Sequence, residues 1–185
     1  MNKELLNKAI SHLVIQDVYL RECRIWQREG HDPKDPKYPI AEVVYMHRFA
    51  KYDFRNSKPD GQDKVLKYLR AHYETVFRVL PPRGSPEMAG VDLNDPAVTE
   101  EHAFVSARAL FIAEYFITDN SLEEDAIKEF CVANVGYHVT PYWRELAQSI
   151  GIRLRLPPII PPLYVLPPEA RPTSNSIATP ETKHE

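Results

Sequence analysis

VLKYLRAHYETVFRVL, residues 65–80, is the pivot of the chain, because its apolar residues obey two periods at once. Leu66, Leu69, Tyr73, Val76 and Leu80 recur at three- and four-residue spacing, the stripe of an amphipathic helix. Val65, Leu69, Tyr73, Phe77 and Val79 share one parity, which suits a strand nearly as well. The local pattern leans slightly to the helix. The choice sets whether the chain offers three strands or four.

The segments on either side read as strands and loops. Upstream, Ile40–Phe54 places Ile40, Val44, Met46, Tyr52 and Phe54 on one face and Val43, Tyr45 and Phe49 on the other. Before it, GHDPKDPKYP (30–39) carries three prolines and cannot continue a ladder. Val14–Arg28 is rich in β-branched, aromatic and long side chains and reads as the first strand. The stripe Leu5, Leu6, Ala9, Ile10 and Leu13 predicts a short helix ahead of it.

Downstream, Pro81–Thr99 is a run of turn formers with little to bury and reads as a long loop. Odd positions from Ala103 to Ile117 are then all apolar, a period of two that argues for a strand. Asp119 and Asn120 make a turn, and Ser121 with Glu124 forms an S-x-x-E capping box for a helix to about Val135, closed by Gly136. A second short helix takes Thr140 as N-cap, Pro141 at its first position and Gly151 as left-handed C-cap. The proline pairs at 157–158, 161–162 and 167–168 favour extended chain. The reading is one domain over 1–166 and a disordered tail over 167–185.

Composition narrows the function. The 185 residues carry a formal charge of -3, far from the dense positive field that sequence-independent phosphate binding needs, so nucleic acid is not an expected partner. No apolar run approaches the roughly 20 residues of a membrane-spanning helix, and MNKELLNKAISHL lacks the apolar core of a secretory signal. With two cysteines, Cys23 and Cys131, a cytoplasmic location is the expectation.

Motifs for chemistry are missing. The six glycines form no phosphate loop or nucleophile elbow, and the seven histidines show no H-x-x-x-H spacing, so neither a metal nor a cofactor is expected. Glu123, Glu124 and Asp125 sit where negative charge complements a helix dipole, which suits capping better than catalysis. Arg144 and Glu145 are adjacent on a helix and point apart, so they are expected to contact other segments or chains.

One stretch carries a resemblance. TPYWRELAQSIGIRLRLPPI, Thr140–Ile159, resembles the P-Y-x-R-E helix and following R-x-x-L-P segment of SecB-like chaperones, and IQDVYLRECRIW (15–26) is similar to their first strand. The resemblance implies an α+β fold, a four-stranded antiparallel sheet followed by C-terminal helices, and thereby makes 65–80 a strand. It spans about residues 5–165 in architecture and resembles the branch that serves toxin–antitoxin pairs more than the export chaperone. Two departures stand out: the long Pro-rich loop before the last strand, and the proline-rich stretch after Leu156, where the export chaperone has a second long helix.

The resemblance implies a non-catalytic, ATP-independent holdase for unfolded preproteins or an antitoxin, assembled as a homotetramer, with the SecA motor as a partner if export is the context. Holding an unfolded chain requires exposed apolar surface. Candidates for that surface are Trp26, Val44, Met46, Tyr73, Phe111 and Trp143. The helix carrying Pro141, Tyr142, Arg144, Glu145, Leu146 and Ile150 is the expected interface between subunits. The rival reading is an interaction scaffold that docks one folded partner through the Pro-rich loop and tail.

Overall fold

Leu66–Leu80 forms a strand. The structure, a computed structural model, describes residues 1–35, 42–58 and 65–164. Residues 36–41, which include the expected start of the second strand, and the expected tail at 167–185 lie outside the described residues. The element order is α1 (Lys3–His12), β1 (Leu13–Gln27), β2 (Glu42–Ser57), β3 (Leu66–Leu80), α2 (Pro96–His102), β4 (Val105–Ile117), α3 (Glu124–Ala133) and α4 (Val135–Arg153). The four strands form one antiparallel sheet in the order β1-β4-β3-β2, an α+β architecture.

The sheet explains why 65–80 was ambiguous. β3 is a central strand, covered on both faces, so Leu69, Ala71, Tyr73, Phe77 and Val79 are buried on one side and His72, Val76, Arg78 and Leu80 on the other. A strand buried twice loses its polar–apolar alternation, and its apolar residues then imitate a helical stripe.

Facing residues share a side of the sheet, so the register sorts the side chains. The inner face carries Tyr115, whose ring meets Phe130 of α3 edge-on at 4.9 Å and lies 5.6 Å from His138 of α4. Three bulges reassign the outer strands. Extra residues fall between Ile15 and Asp17, between Leu20 and Glu22, and between Phe49 and Lys51. Each shifts the parity by one, so Leu13, Ile15, Val18, Leu20, Cys23 and Ile25 all face inward, as do Val43, Tyr45, Phe49, Tyr52 and Phe54. The expected sorting of the second strand, which put Tyr52 and Phe54 on the face of Val44 and Met46, is corrected accordingly.

The 81–104 connection is not an empty loop. It folds back over the outer face, where Met88 and Ala103 pack with Leu80 against Val44, Val91 and Leu93. Under it Arg78, 1% exposed, donates to Thr99 Oγ1 at 2.7 Å and to Glu100 at 2.8 Å. Asp95 caps α2, accepting from the backbone of Ala97 and Val98, with Pro96 at the first helical position. On the other side of the sheet α1 docks on α3, with Lys8 donating to Glu123 at 2.7 Å and the Asn2 backbone to Glu129 at 2.9 Å.

The helix boundaries also differ from expectation. Ser121 does not cap α3: its hydroxyl and backbone N–H both donate to Asp119, and Glu123 takes the N-cap position without a side-chain bond. Gly136 does not end a helix. It lies in the first turn of α4, which runs unbroken through Pro141 to Arg153. Pro141 removes the intrahelical donor to the Tyr137 carbonyl, and the Thr140 hydroxyl donates to the Gly136 carbonyl at 2.7 Å beside it. Gly151 is helical as well. The left-handed residue is Arg155 at φ 57°, closing a Schellman motif in which Leu156 N–H donates to Gly151 and Arg155 N–H to Ile152.

Candidate functional site

Apolar surface left open is concentrated on β1. It is an edge strand, paired among the described residues with β4 alone, and α4 lies mainly over β3 and β4 while α3 reaches toward β2. Ile15, Leu20 and Ile25 on its inner face and Val14, Tyr19 and Trp26 on its outer face are all exposed, Ile25 and Trp26 by 49% each. An edge strand also carries unpaired backbone donors and acceptors along its free side. Greasy side chains on both faces of a free edge form an adhesive surface for extended chain.

Two hollows flank the strand. Between β1 and α4 opens a cleft of about 780 Å³ lined by Ile15, Val18, Tyr137, Pro141, Tyr142 and Tyr164 among others. Arg144, Glu145 and Gln148 supply its polar rim. At the far end of β1 a second hollow of about 540 Å³ joins Ile25 and Trp26 to Arg24, Glu100, Glu101 and Arg108.

The cleft's inner wall is electrostatically quiet. His138 Nδ1 lies 2.8 Å from the Tyr115 hydroxyl, and burial lowers the imidazole pKa while raising that of the phenol. His47 repeats the arrangement with Tyr73 at 2.8 Å, and burial shifts both groups the same way. Both imidazoles are therefore held neutral. Cys131 is buried nearby, its thiol pushed up to about 12. Charge is found on the outer face instead, where Arg70 and His72 grip Asp53 at 2.6 and 2.7 Å. Burial works to raise the Asp53 pKa, but those two hydrogen bonds outweigh it and hold the carboxyl low. Among the described residues no group of three His, Cys, Asp or Glu side chains could hold a metal, and no helix is long and apolar enough to cross a membrane.

The six expected client-contact residues are not brought together. Trp26 is exposed on β1. Val44 and Met46 are half-buried on the outer face of β2, Val44 against the 81–104 segment and Met46 with its sulfur 3.7 Å from Arg78. Tyr73, Phe111 and Trp143 are interior: Tyr73 and Phe111 face each other under the helices, and Trp143 packs on Phe77 at 5.9 Å. Within the subunit these three build core, the normal fate of large apolar residues on a covered face.

The expected interface helix divides likewise. Pro141, Tyr142 and Glu145 are exposed, Leu146 is half-buried, and Ile150 is buried in its own subunit, so they are not one open apolar face. Arg144 does contact another segment, donating to the Pro161 carbonyl. Sequence reasoning missed Ile15, Val18 and Tyr137 and the docking of residues 156–164 against α4. A signal existed for the docking: a glycine inside a helical pattern marks a close approach, and Gly136 and Gly151 both meet this segment.

No family model matches the chain, and no curated protein matches it by sequence. Among solved structures it is similar to a Mycobacterium tuberculosis SecB-like chaperone in complex with a ChAD peptide from the HigA1 antitoxin. The sequence identity is 13% and the TM-score 0.58, and the match covers 89% of this chain and 99% of that one. Over nearly the whole of both chains the architecture coincides, and this chain therefore has the SecB-like fold.

Proposed function

We propose that this chain is a chaperone that binds unfolded or non-native polypeptide and performs no chemistry on it. The observation that carries the reading is the apolar edge strand β1, exposed on both faces and opening onto the cleft beneath Tyr137 and Tyr142. Its fold is that of a chaperone solved with an antitoxin-derived peptide, which favours an antitoxin as the client over an exported preprotein handed to SecA. Holding is ATP-independent in this reading, because an apolar surface releases and rebinds extended chain by mass action alone. The cytoplasm is the proposed location.

Assembly into a homotetramer belongs to the same proposal. Exposed Tyr142, Ile152 and the β1 edge offer surface that sister subunits share, and Ile150 is not part of it. The scaffold alternative is weakened by two contacts: the 81–104 segment covers its own sheet, and 156–164 is laid on its own helix.

The test is light scattering from a guanidine-denatured test protein diluted with and without this chain. Stoichiometric amounts are expected to suppress aggregation without nucleotide. Unchanged scattering at a tenfold excess rules holding out.

A further inference from the structure

Leu156–Tyr164 is chain laid into a groove, neither strand nor helix. It runs back along α4 in the opposite direction. Ile159 packs on Gly151, where a β-carbon would come within 2.9 Å of it, the Pro161 carbonyl accepts from Arg144, and the Tyr164 ring rests on Gly136. The Tyr164 hydroxyl donates to the Ala133 carbonyl at 3.0 Å, and its ring meets His47 of β2 edge-on at 5.7 Å. Tyr45 of β2 hydrogen-bonds the Ile160 backbone. Buried Leu156 and Ile159 are spaced by three, as are buried Pro161 and half-buried Tyr164, the repeat of a polyproline helix.

These contacts are those of a peptide site. Arg144 and Tyr45 hold main-chain groups, which any sequence supplies, while Ile159 and Tyr164 fill slots floored by the two glycines. Prolines suit such a groove, because extended chain outside a ladder leaves backbone N–H groups unmatched and proline has none. Nor does the groove stop at Tyr164. Leu163 and Tyr164 form part of the wall of the open cleft whose other side is Ile15, Val18, Tyr137 and Tyr142, so a filled half and an empty half are continuous.

We propose that the groove filled by residues 156–164 is a binding site for extended, proline-bearing apolar peptide, and that this segment is its resident occupant, which a client displaces. The inference rests on the chaperone reading and says where the client goes and what regulates its entry. A segment joined directly to α4 competes at an effective concentration on the order of millimolar. Weak peptides are thereby excluded, and the apolar groove stays covered between clients.

The test uses the full chain and a fluorescein-labelled peptide RLPPIIPPLY, the sequence of residues 155–164, followed by fluorescence polarisation. Tyr164→Phe removes only the hydroxyl bond to Ala133 and is expected to tighten peptide binding about fivefold over wild type, the effect of one ordinary hydrogen bond. Ile159→Asp empties the deepest slot and is expected to tighten it at least tenfold, and adding Arg144→Ala to either variant is expected to cancel the gain. Should Ile159→Asp fail to fold, Tyr164→Phe carries the test by itself. Equal affinity in wild type and Tyr164→Phe, or no binding to either, overturns the proposal. Aggregation suppression by wild type, measured alongside, separates the failures: suppression without any difference in peptide affinity removes the resident segment and leaves the chaperone.

Discussion

Gly136 lies against the ring of Tyr164 so closely that a β-carbon there would stand 2.3 Å from the ring and 2.4 Å from the Tyr73 hydroxyl. Helix propensity by itself favours alanine at this position by about 1 kcal/mol. The Tyr164 ring belongs to the segment proposed above to be displaced by a client, but Tyr73 is a core residue tied to His47. Overpacking a closed site costs about 1–3 kcal/mol, so the steric term wins. Gly136→Ala is expected to lower stability by about 1–2 kcal/mol in urea titration, and a higher midpoint would show that the contact is soft.

Arg155 ends α4 in a left-handed conformation that side chains other than glycine adopt at a cost of about 1 kcal/mol. Its hydrogen bonds are backbone bonds of the Schellman motif and survive any substitution that keeps φ positive. Arg155→Gly is therefore expected to stabilise the chain by about 0.5–1 kcal/mol, even though glycine in the interior of a helix or strand is destabilising. Equilibrium unfolding decides it, and a loss of stability would mean that the Arg155 side chain does more than its exposure suggests.

How much of this was legible beforehand depends on burial. β4 was readable because its odd residues are covered and its even ones mixed, and α1 because one stripe meets α3. β3 was not, since both faces are covered, and only the resemblance carried by PYWRE made it a strand. The bulges after Ile15, Leu20 and Phe49 left no sign in composition, yet they decide that Leu20 and Ile25 share a face and that Tyr52 joins Tyr45. The client candidates were scattered over the fold for a related reason. Large apolar residues at strand and helix centres mark core, whereas open surface appears where a neighbouring element is missing, which local sequence does not record.

Acid should weaken the fold through its histidines. Burial lowers the pKa of His47, His138 and His31 below the ordinary 6.5. Above that value folded and unfolded chains are both neutral at these positions and nothing is lost. As the pH falls below it the unfolded chain takes up protons that the folded chain resists, so stability declines until the lowered native pKa values are passed. Asp53, held low by His72 and Arg70, adds its own loss in a lower window, beneath about pH 4. Thermal unfolding of wild type between pH 8 and pH 5 is expected to show a falling midpoint, with a shallower slope in His47→Gln/His138→Gln. Equal slopes would place the acid sensitivity elsewhere.

Leu20 and Ile25 project from an edge strand into open space, so a charge at either site meets water rather than core. Substitutions at such positions change stability by no more than about 0.5 kcal/mol. If the β1 surface holds clients, Leu20→Glu and Ile25→Glu each remove an apolar contact and place a solvated carboxylate in the path of a greasy chain, at a cost of about 1–2 kcal/mol in binding. Half-maximal suppression of aggregation is then expected to need roughly tenfold more protein, at an unchanged unfolding midpoint. Sedimentation of the same variants distinguishes the two uses of the surface: an unchanged assembly mass assigns the loss to client contact, and a smaller mass assigns it to contacts between subunits. Full suppression by both variants would take the holding function away from β1 altogether.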